Sequence, residues 1–139
     1  MEVGFFFWPF NPDLTVRLAE AAERYGYDMI GVADTPGNAM DPWISATLIA
    51  EHTTQPQVAL CVTNLLSRHP AATAAAIASL DAVSRGRAVL GLGAGNSGTK
   101  NLGIGSSKAA ALQEGVRFIK TLLSGQRAEY RVRPRICRG

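Results

Sequence analysis

The chain repeats one arrangement four times: a short apolar run, a turn containing Pro, Asp or Asn, and a helical stretch that ends at a glycine. This alternation is typical of βαβ units, in which a helix joins two parallel strands. The last of these runs, residues 87–92, is almost continuously apolar, as expected for a strand that is covered on both faces. The sequence therefore predicts an α/β fold built on a parallel sheet.

The boundaries of the four units can be read from their turn residues. The predicted strands cover residues 3–8, 29–33, 57–63 and 87–92, and helices are expected to begin at Asn11-Pro12, Asp41-Pro42 and Pro70. Asn or Asp followed by Pro is typical of a helix N-terminus, because the first residue caps free amides and proline already has helical φ. A fourth helix carries an apolar stripe that ends before Gly125. Between them, residues 93–107 show no helical periodicity and are predicted to be a loop.

Two architectures use this pattern: an open doubly wound sheet and a closed (β/α)₈ barrel. A closed barrel needs roughly 250 residues, so a chain of 139 residues can supply half of one. We expect residues 1–126 to form this half-barrel and residues 127–139 to be an arginine-rich tail foreign to the fold, left by a premature stop or frameshift. A half-barrel exposes strand edges, which predicts self-association. A small doubly wound nucleotide-binding protein remains the alternative.

The net charge of +3 is concentrated at one end of the chain. Five of the 14 basic residues and one of the 11 acidic residues lie in 127–139, so the remainder carries 9 basic and 10 acidic residues. The body of the protein is not basic, and no specific nucleic-acid partner is expected. No apolar run of 18 residues and no signal sequence is present, which predicts neither a membrane partner nor secretion but a cytoplasmic protein. Cys61 and Cys137 form no metal-binding pattern and are interpreted as free thiols.

Polar and small residues follow each predicted strand, at the edge where parallel βα folds bind ligands. The four segments are Trp8-Pro9, Asp34-Thr35, Thr63-Asn64 and residues 93–97. Asp34 could exchange a proton beside a bound ring, or could be a turn-forming or capping residue before Pro36. The aromatic residues of the first strand, including Trp8, are interpreted as barrel filling rather than a stacking surface.

Residues 93–98 match the dinucleotide-binding pattern G-x-G-x-x-G directly after a strand. That pattern requires a helix to begin at once, whereas no helical periodicity follows here, and the acidic residue expected about twenty positions later is Glu114, inside a helix. The segment is therefore predicted to be either a plain flexible loop or a loop whose backbone amides contact a phosphate or a ring.

Two histidines and an arginine have both functional and structural interpretations. Arg68 could bind a phosphate or carboxylate, and His69 precedes Pro70 as a helix entry would. His52 lies at a helix end, where contact with the helix dipole is expected.

Taken together, these residues resemble the luciferase-like monooxygenase superfamily, and in particular its deazaflavin (F420)-dependent reductases. The resemblance covers residues 3–126 and rests on a set of segments: AAERYGYD at 21–28, Asp34-Thr35, DPW at 41–43, VTN at 62–64 with RHPA at 68–71, and LDAVSRGRAVLGLGAG at 80–95. The Asp34-Thr35 pair departs from the Asp-His pair that is common in this superfamily.

The resemblance implies half of a TIM barrel and redox chemistry with F420, or alternatively FMN, on a small organic substrate. It implies that Asp34 acts as the catalytic residue beside the ring. Cys61-Val62 falls where the family has a non-prolyl cis peptide behind the ring. The residues implied to contact the cofactor are Cys61, Val62, Thr63, Asn64, Gly95, Asn96 and Ser97. The competing hypothesis is a catalytically inert truncated product, or a self-associating half-domain without cofactor.

Overall fold

A computed structural model describes residues 1–130 of the chain. Residues 131–139, which include Cys137 and most of the predicted tail, lie outside the described residues. The strands are β1 (Gly4–Phe7), β2 (Met29–Val32), β3 (Gln57–Asn64) and β4 (Ala88–Gly93). The helices are α1 (Pro12–Arg24), α2 (Pro42–His52), α3 (Pro70–Ser84), α4 (Ser97–Asn101) and α5 (Ala109–Leu123). The four predicted βα units are thus confirmed.

The four strands form one parallel sheet in the order β1-β2-β3-β4. A doubly wound sheet reverses its strand order at a switch point, whereas a barrel keeps sequential order. The alternative of a doubly wound nucleotide-binding protein is therefore wrong. The chain forms half of a (β/α)₈ barrel.

Side chains cap the N-termini of the first three helices, at the predicted Asn11 and Asp41 and also at His69. Asn11 Oδ1 accepts a hydrogen bond from Leu14 N at 2.8 Å, and Asp41 Oδ1 accepts one from Trp43 N at 2.9 Å. His69 Nδ1 accepts one from Ala71 N at 3.1 Å. Each cap satisfies an amide that the first turn of a helix leaves free. His69 therefore has the structural role of a helix entry.

The two faces of the sheet differ in what covers them. The face toward the helices is buried apolar core, and its largest fully buried side chains include Ile30, Leu60 and Ile49. Because strand side chains alternate, Phe7 points into this core and Phe6 points to the opposite, inner face. There Phe6 is 56% exposed. Among residues 1–130, no helix is long and apolar enough to cross a membrane.

The structure corrects the prediction for residues 93–107 in one respect. Ser97–Asn101 forms a helix of 5 residues, α4, inside the segment predicted to be a loop. A single turn is too short for an apolar stripe to repeat, so periodicity cannot detect it. It is held by contacts with other elements, since Asn101 Nδ2 donates to Pro36 O at 2.9 Å.

Candidate functional site

All eight residues implied by the resemblance line one pocket at the carboxyl ends of the four strands. Its volume is about 410 Å³, within the usual range of small-molecule sites. The predicted residues are Asp34, Cys61, Val62, Thr63, Asn64, Gly95, Asn96 and Ser97, and the other lining residues include Phe6, Trp8, Thr35 and Thr99.

Asp34 and Thr63 form the polar centre of this pocket. Asp34 follows β2 and Thr63 lies near the end of β3, and the Thr63 hydroxyl donates to Asp34 Oδ2 at 2.6 Å. Burial raises the pKa of the Asp34 carboxyl above its ordinary value, although the Thr63 hydrogen bond opposes this shift. A half-buried carboxyl with a raised pKa keeps its proton to higher pH than an exposed aspartate does, which suits a group that transfers a proton.

Two charged side chains act on Asp34 from neighbouring elements. The carboxylate of Asp41 raises the pKa of Asp34 further, and the guanidinium of Arg68 lowers it. Arg68 is held over the ring of Trp43, with Cζ 5.2 Å from the ring centroid. Its Nε is buried and makes no hydrogen bond within residues 1–130. Arg68 thus lies close enough to influence Asp34 but does not itself line the pocket.

Strand β3 changes its pairing at the pocket. The peptide bond between Cys61 and Val62 is cis, as the resemblance implies, and the β3–β4 register shifts between Leu60 and Thr63. Val62 is 51% exposed as a result of its position on the inner face, and Cys61 is a half-buried free thiol. The segment thus presents the Val62 side chain and the Thr63 hydroxyl to the same cavity.

Asn64 has a structural contact as well as a place in the pocket lining. Its Oδ1 accepts hydrogen bonds from Leu66 N and Ser67 N, both at 2.9 Å, and so shapes the loop after β3. An Asn side chain also carries an NH₂ group with two donors. The amide nitrogen is the part of Asn64 that can serve a ligand.

The loop after β4 closes one side of the pocket. Gly95 has φ of +90°, and a Cβ there would lie 2.6 Å from Thr99 Cγ2, so the position requires glycine. Ser106 Oγ donates to Gly95 O at 2.6 Å, and Ser107 N donates to Ala94 O at 2.7 Å. These contacts contradict the interpretation of a plain flexible loop.

The expectation that no helix follows the glycine pattern is also wrong. Helix α4 begins at Ser97, directly after Asn96, although it spans only 5 residues. Glu114 lies in α5, as predicted, and not at a strand end. Within residues 1–130, Glu114 therefore does not supply the acidic residue at a strand end that a dinucleotide site requires.

Sequence reasoning missed the contact that orders the aromatic side of the pocket. Trp8 Nε1 donates to Thr35 Oγ1 at 3.2 Å, and the Phe6 and Trp8 rings lie 5.8 Å apart. The sequence pattern favours barrel filling for Trp8, yet Trp8 is 44% exposed and lines the cavity. Its position directly after a strand was the available signal. His52 behaves as expected, with its Nδ1 2.8 Å from Leu48 O at the end of α2.

The chain is similar to known proteins over most of its length. A family model described as luciferase-like monooxygenase matches residues 1–135. The chain is 33% identical over 130 residues to the 5,10-methylenetetrahydromethanopterin reductase of Methanolobus tindarius. This match covers 91% of the chain and 40% of that relative. The chain therefore spans well under half the length of this relative.

Solved structures give the same result for the fold. The F420-dependent tetrahydromethanopterin reductase from Methanopyrus kandleri superposes with a TM-score of 0.84 at 26% identity, over 94% of this chain and 42% of that one. The FMN-bound oxygenating constituent of 3,6-diketocamphane monooxygenase from Pseudomonas putida superposes with a TM-score of 0.70 at 25% identity. That second match covers 88% of this chain and 38% of the other.

Proposed function

This chain belongs to the luciferase-like monooxygenase family, and from that premise we propose that it supplies half of a redox site that binds F420. FMN is the alternative cofactor, because the matched structures include enzymes named for each. The proposed activity is hydride transfer between the reduced cofactor and a small organic substrate. The observation that carries the proposal is the Asp34–Thr63 pair, which lies in the same pocket as every residue implied to contact the ring.

The residues of the pocket fit a flat ring that bears polar edges. The cavity of about 410 Å³ is open on the inner face of the sheet and is partly floored by glycine. At Gly93 and Gly95 a Cβ would lie closer than 3.0 Å to Val62 and Thr99, so both positions keep the backbone bare. Bare backbone allows amides to approach a ligand closely.

We assign the contacts as follows. Val62 and the Cys61–Val62 peptide lie behind the ring, while the Thr63 hydroxyl and the Asn64 amide nitrogen face its polar edge. Backbone and side-chain groups of Gly95, Asn96 and Ser97 bind the cofactor from the loop after β4. These assignments are supported by the shared pocket lining.

Asp34 is proposed to handle the proton that accompanies the redox step. The cofactor, when bound, donates or accepts the hydride. Asp34 then gives or takes a proton at the ring edge or at the substrate, and Thr63 holds the carboxyl in place through its hydrogen bond. Partial burial raises the pKa of the carboxyl, so Asp34 keeps its proton to higher pH than an exposed aspartate does.

The test is titration of the purified protein with F420 and with FMN, followed by fluorescence and combined with sizing chromatography. We expect saturable binding of F420 to a defined species. Asp34→Asn should leave binding within about threefold and abolish hydride transfer, whereas Asp13→Asn, an exposed residue outside the pocket, should change neither.

The competing proposal is a chain without cofactor chemistry. It predicts no saturable binding of either cofactor by a folded protein, and that result would overturn the redox assignment for this chain. Between the two cofactors, tighter binding of FMN than of F420 would favour the alternative.

We further propose that the chain self-associates through its sheet edges. β1 pairs only with β2, and β4 pairs only with β3, among the described residues. Each therefore leaves one edge of unpaired backbone groups, which is a template for pairing with another strand. Light scattering during sizing chromatography measures the resulting mass.

A further inference from the structure

We propose that the substrate presents a planar, uncharged apolar group to an aromatic wall formed by Phe6 and Trp8. This inference rests on the proposed function, because it concerns the substrate of the same pocket. It adds the chemical class of the part of the substrate that lies against this half of the barrel.

The aromatic wall is ordered and accessible. The Phe6 and Trp8 rings lie 5.8 Å apart at an interplanar angle of 58°, a tilted arrangement that aromatic pairs favour. They are 56% and 44% exposed, so both rings retain a free surface. The hydrogen bond from Trp8 Nε1 to Thr35 Oγ1 fixes the indole and satisfies its only donor. What remains of Trp8 for a ligand is therefore its apolar ring surface.

The floor beside the wall is also apolar. A Cβ on Gly31 would lie 3.2 Å from Phe6 Cβ, and one on Gly93 would lie 2.8 Å from Val62 Cγ2. Phe6 and Val62 thus lie over strand positions that lack side chains. A flat group placed against Trp8 would contact the side chains of Phe6 and Val62, neither of which can form a hydrogen bond.

The charges of the pocket oppose an anionic substrate at this wall. Among the described residues that line the cavity, Asp34 is the only charged one, and neither lysine nor arginine is present. A phosphate or carboxylate here would have no counterion among these lining residues and would face a carboxyl group, since Arg68 acts on Asp34 from outside the lining. An uncharged group avoids this repulsion.

The polar and apolar groups occupy different parts of the lining. The groups proposed to bind the cofactor come from β3 and the loop after β4, whereas the wall comes from β1. Asp34 and Thr35 follow β2, which lies between β1 and β3. A substrate ring on Trp8 would therefore lie next to Asp34, on the side away from the loop after β4.

The experiment compares two probes by ligand-observed NMR on the full chain. 1-Phenylethanol is uncharged and carries a planar phenyl ring, and glucose 6-phosphate is an anionic polyol. We expect 1-phenylethanol to bind saturably and glucose 6-phosphate not to bind. Trp8→Leu should weaken 1-phenylethanol binding at least tenfold, and Phe10→Leu, an exposed aromatic residue two positions away and outside the pocket, should leave it unchanged.

Several results would overturn the inference. These are equal binding of 1-phenylethanol to wild type and Trp8→Leu, or binding of glucose 6-phosphate comparable to that of 1-phenylethanol. If Trp8→Leu does not fold by circular dichroism, nuclear Overhauser contacts between the probe ring and the Trp8 indole of the wild type decide the question. Their presence supports the wall, and their absence overturns it.

F420 titration of the same samples separates this inference from the proposed function. Trp8→Leu should retain F420 affinity within about threefold. A loss of F420 and probe binding by the same factor would assign the wall to the cofactor and overturn the inference. The wild-type protein could instead bind the probe at Trp8 but bind neither F420 nor FMN. That result would overturn the proposed function, and it would still support an uncharged, planar ligand group at the wall.

Discussion

Partial burial of Asp34 lowers the stability of the folded protein when the carboxyl is ionised, so this loss depends on pH. Its pKa is raised in the folded protein by burial, so the folded state binds a proton more tightly than the unfolded state does. The carboxyl therefore costs no stability below its unfolded pKa near 3.8, and stability is lost as pH rises from there through the raised folded pKa. Replacement by asparagine removes the ionisation and with it this loss.

We predict that Asp34→Asn is more stable than wild type at pH 7, and that this gain shrinks as pH falls toward 3.8. The measurement is urea unfolding of both proteins at a series of pH values. A difference in the free energy of unfolding that does not vary with pH arises from the changed hydrogen bond to Thr63. Only the part of the difference that varies with pH arises from ionisation of the Asp34 carboxyl. A stability difference that stays flat with pH would contradict the raised pKa.

Thr63 acts against this shift, because its hydroxyl stabilises the ionised carboxylate at 2.6 Å. Thr63→Val removes the donor at nearly constant volume, and we expect the pKa of Asp34 to rise further. Carboxyl ¹³C NMR titration gives the midpoint directly. Thr15→Val is the matched control, since its hydroxyl bonds to Asn11 O in another part of the chain. A midpoint that falls or stays constant in Thr63→Val would refute the assignment.

Gly95 is held in a backbone region that side chains rarely occupy. At φ of +90° and with Thr99 Cγ2 2.6 Å from an added Cβ, Gly95→Ala should destabilise the protein by about 1–3 kcal/mol. Gly105→Ala is the control, because nothing lies within 4 Å of its added Cβ and its φ is not positive. Its effect should stay within about 0.5 kcal/mol. Urea unfolding of both variants provides the comparison, and equal losses would remove the argument for a rigid loop.

Sequence reasoning identified the members of the pocket better than their contacts. Asp34, Thr63 and Asn64 could be named because each follows an apolar run, and strand ends share one edge of a parallel sheet. The bond between Asp34 and Thr63 could not be predicted, because it depends on the register of β2 and β3 and on the change in pairing after Leu60. The Trp8–Thr35 bond is likewise a contact between side chains 27 positions apart.

At the scale of elements, the segment between α2 and β3 is organised by Arg87. Its guanidinium donates to Ala50 O at 3.0 Å, Thr53 O at 2.9 Å and Pro56 O at 2.7 Å. These carbonyls lie at the end of α2 and in the turn that follows, where no helix amide can reach them. The same turn is also bound by Glu23, whose Oε1 accepts a hydrogen bond from Thr54 N at 2.6 Å.

We expect Arg87→Met to destabilise the protein by about 2–4 kcal/mol, because it leaves several half-buried carbonyls without a charged donor. Arg17→Met, at an exposed position on α1, should change stability by less than about 0.5 kcal/mol. Thermal unfolding followed by circular dichroism compares the two. Similar losses in both variants would show that the Arg87 contacts contribute little.

Elements with strong local signals were predicted within a few residues, and the others were not. The N-termini of α1, α2 and α3 follow from Asn11, Asp41 and His69, whose caps depend only on neighbouring residues. Helix α4 could not be predicted, because it is too short for an apolar stripe and Asn101 holds it through a hydrogen bond to the distant Pro36 O. From the sequence, Arg87 is identifiable only as the start of a strand, because its carbonyl partners come from a distant turn.

At the scale of the whole molecule, the inner face of the sheet determines how the chain behaves in solution. A closed barrel buries this face, whereas here Phe6 and Val62 remain more than half exposed among the described residues. Exposed apolar surface next to unpaired strand edges favours association. If copies associate through the edges of β1 and β4, their inner faces are brought together, and a charge on this face must be desolvated.

Two lysine substitutions at similarly exposed apolar positions test this. Phe6 on the inner face is 56% exposed, and Ile44 on α2 is 60% exposed. We predict that Phe6→Lys weakens self-association at least tenfold, because burying a lysine without a partner is costly. Ile44→Lys should leave it unchanged, since α2 lies on the other face of the sheet. Sedimentation equilibrium over a range of concentrations measures both, and a wild-type chain that stays monomeric throughout would refute self-association. Equal weakening by both substitutions would instead place the interface on a surface other than the sheet edges, because only Phe6 lies on the face that edge pairing encloses.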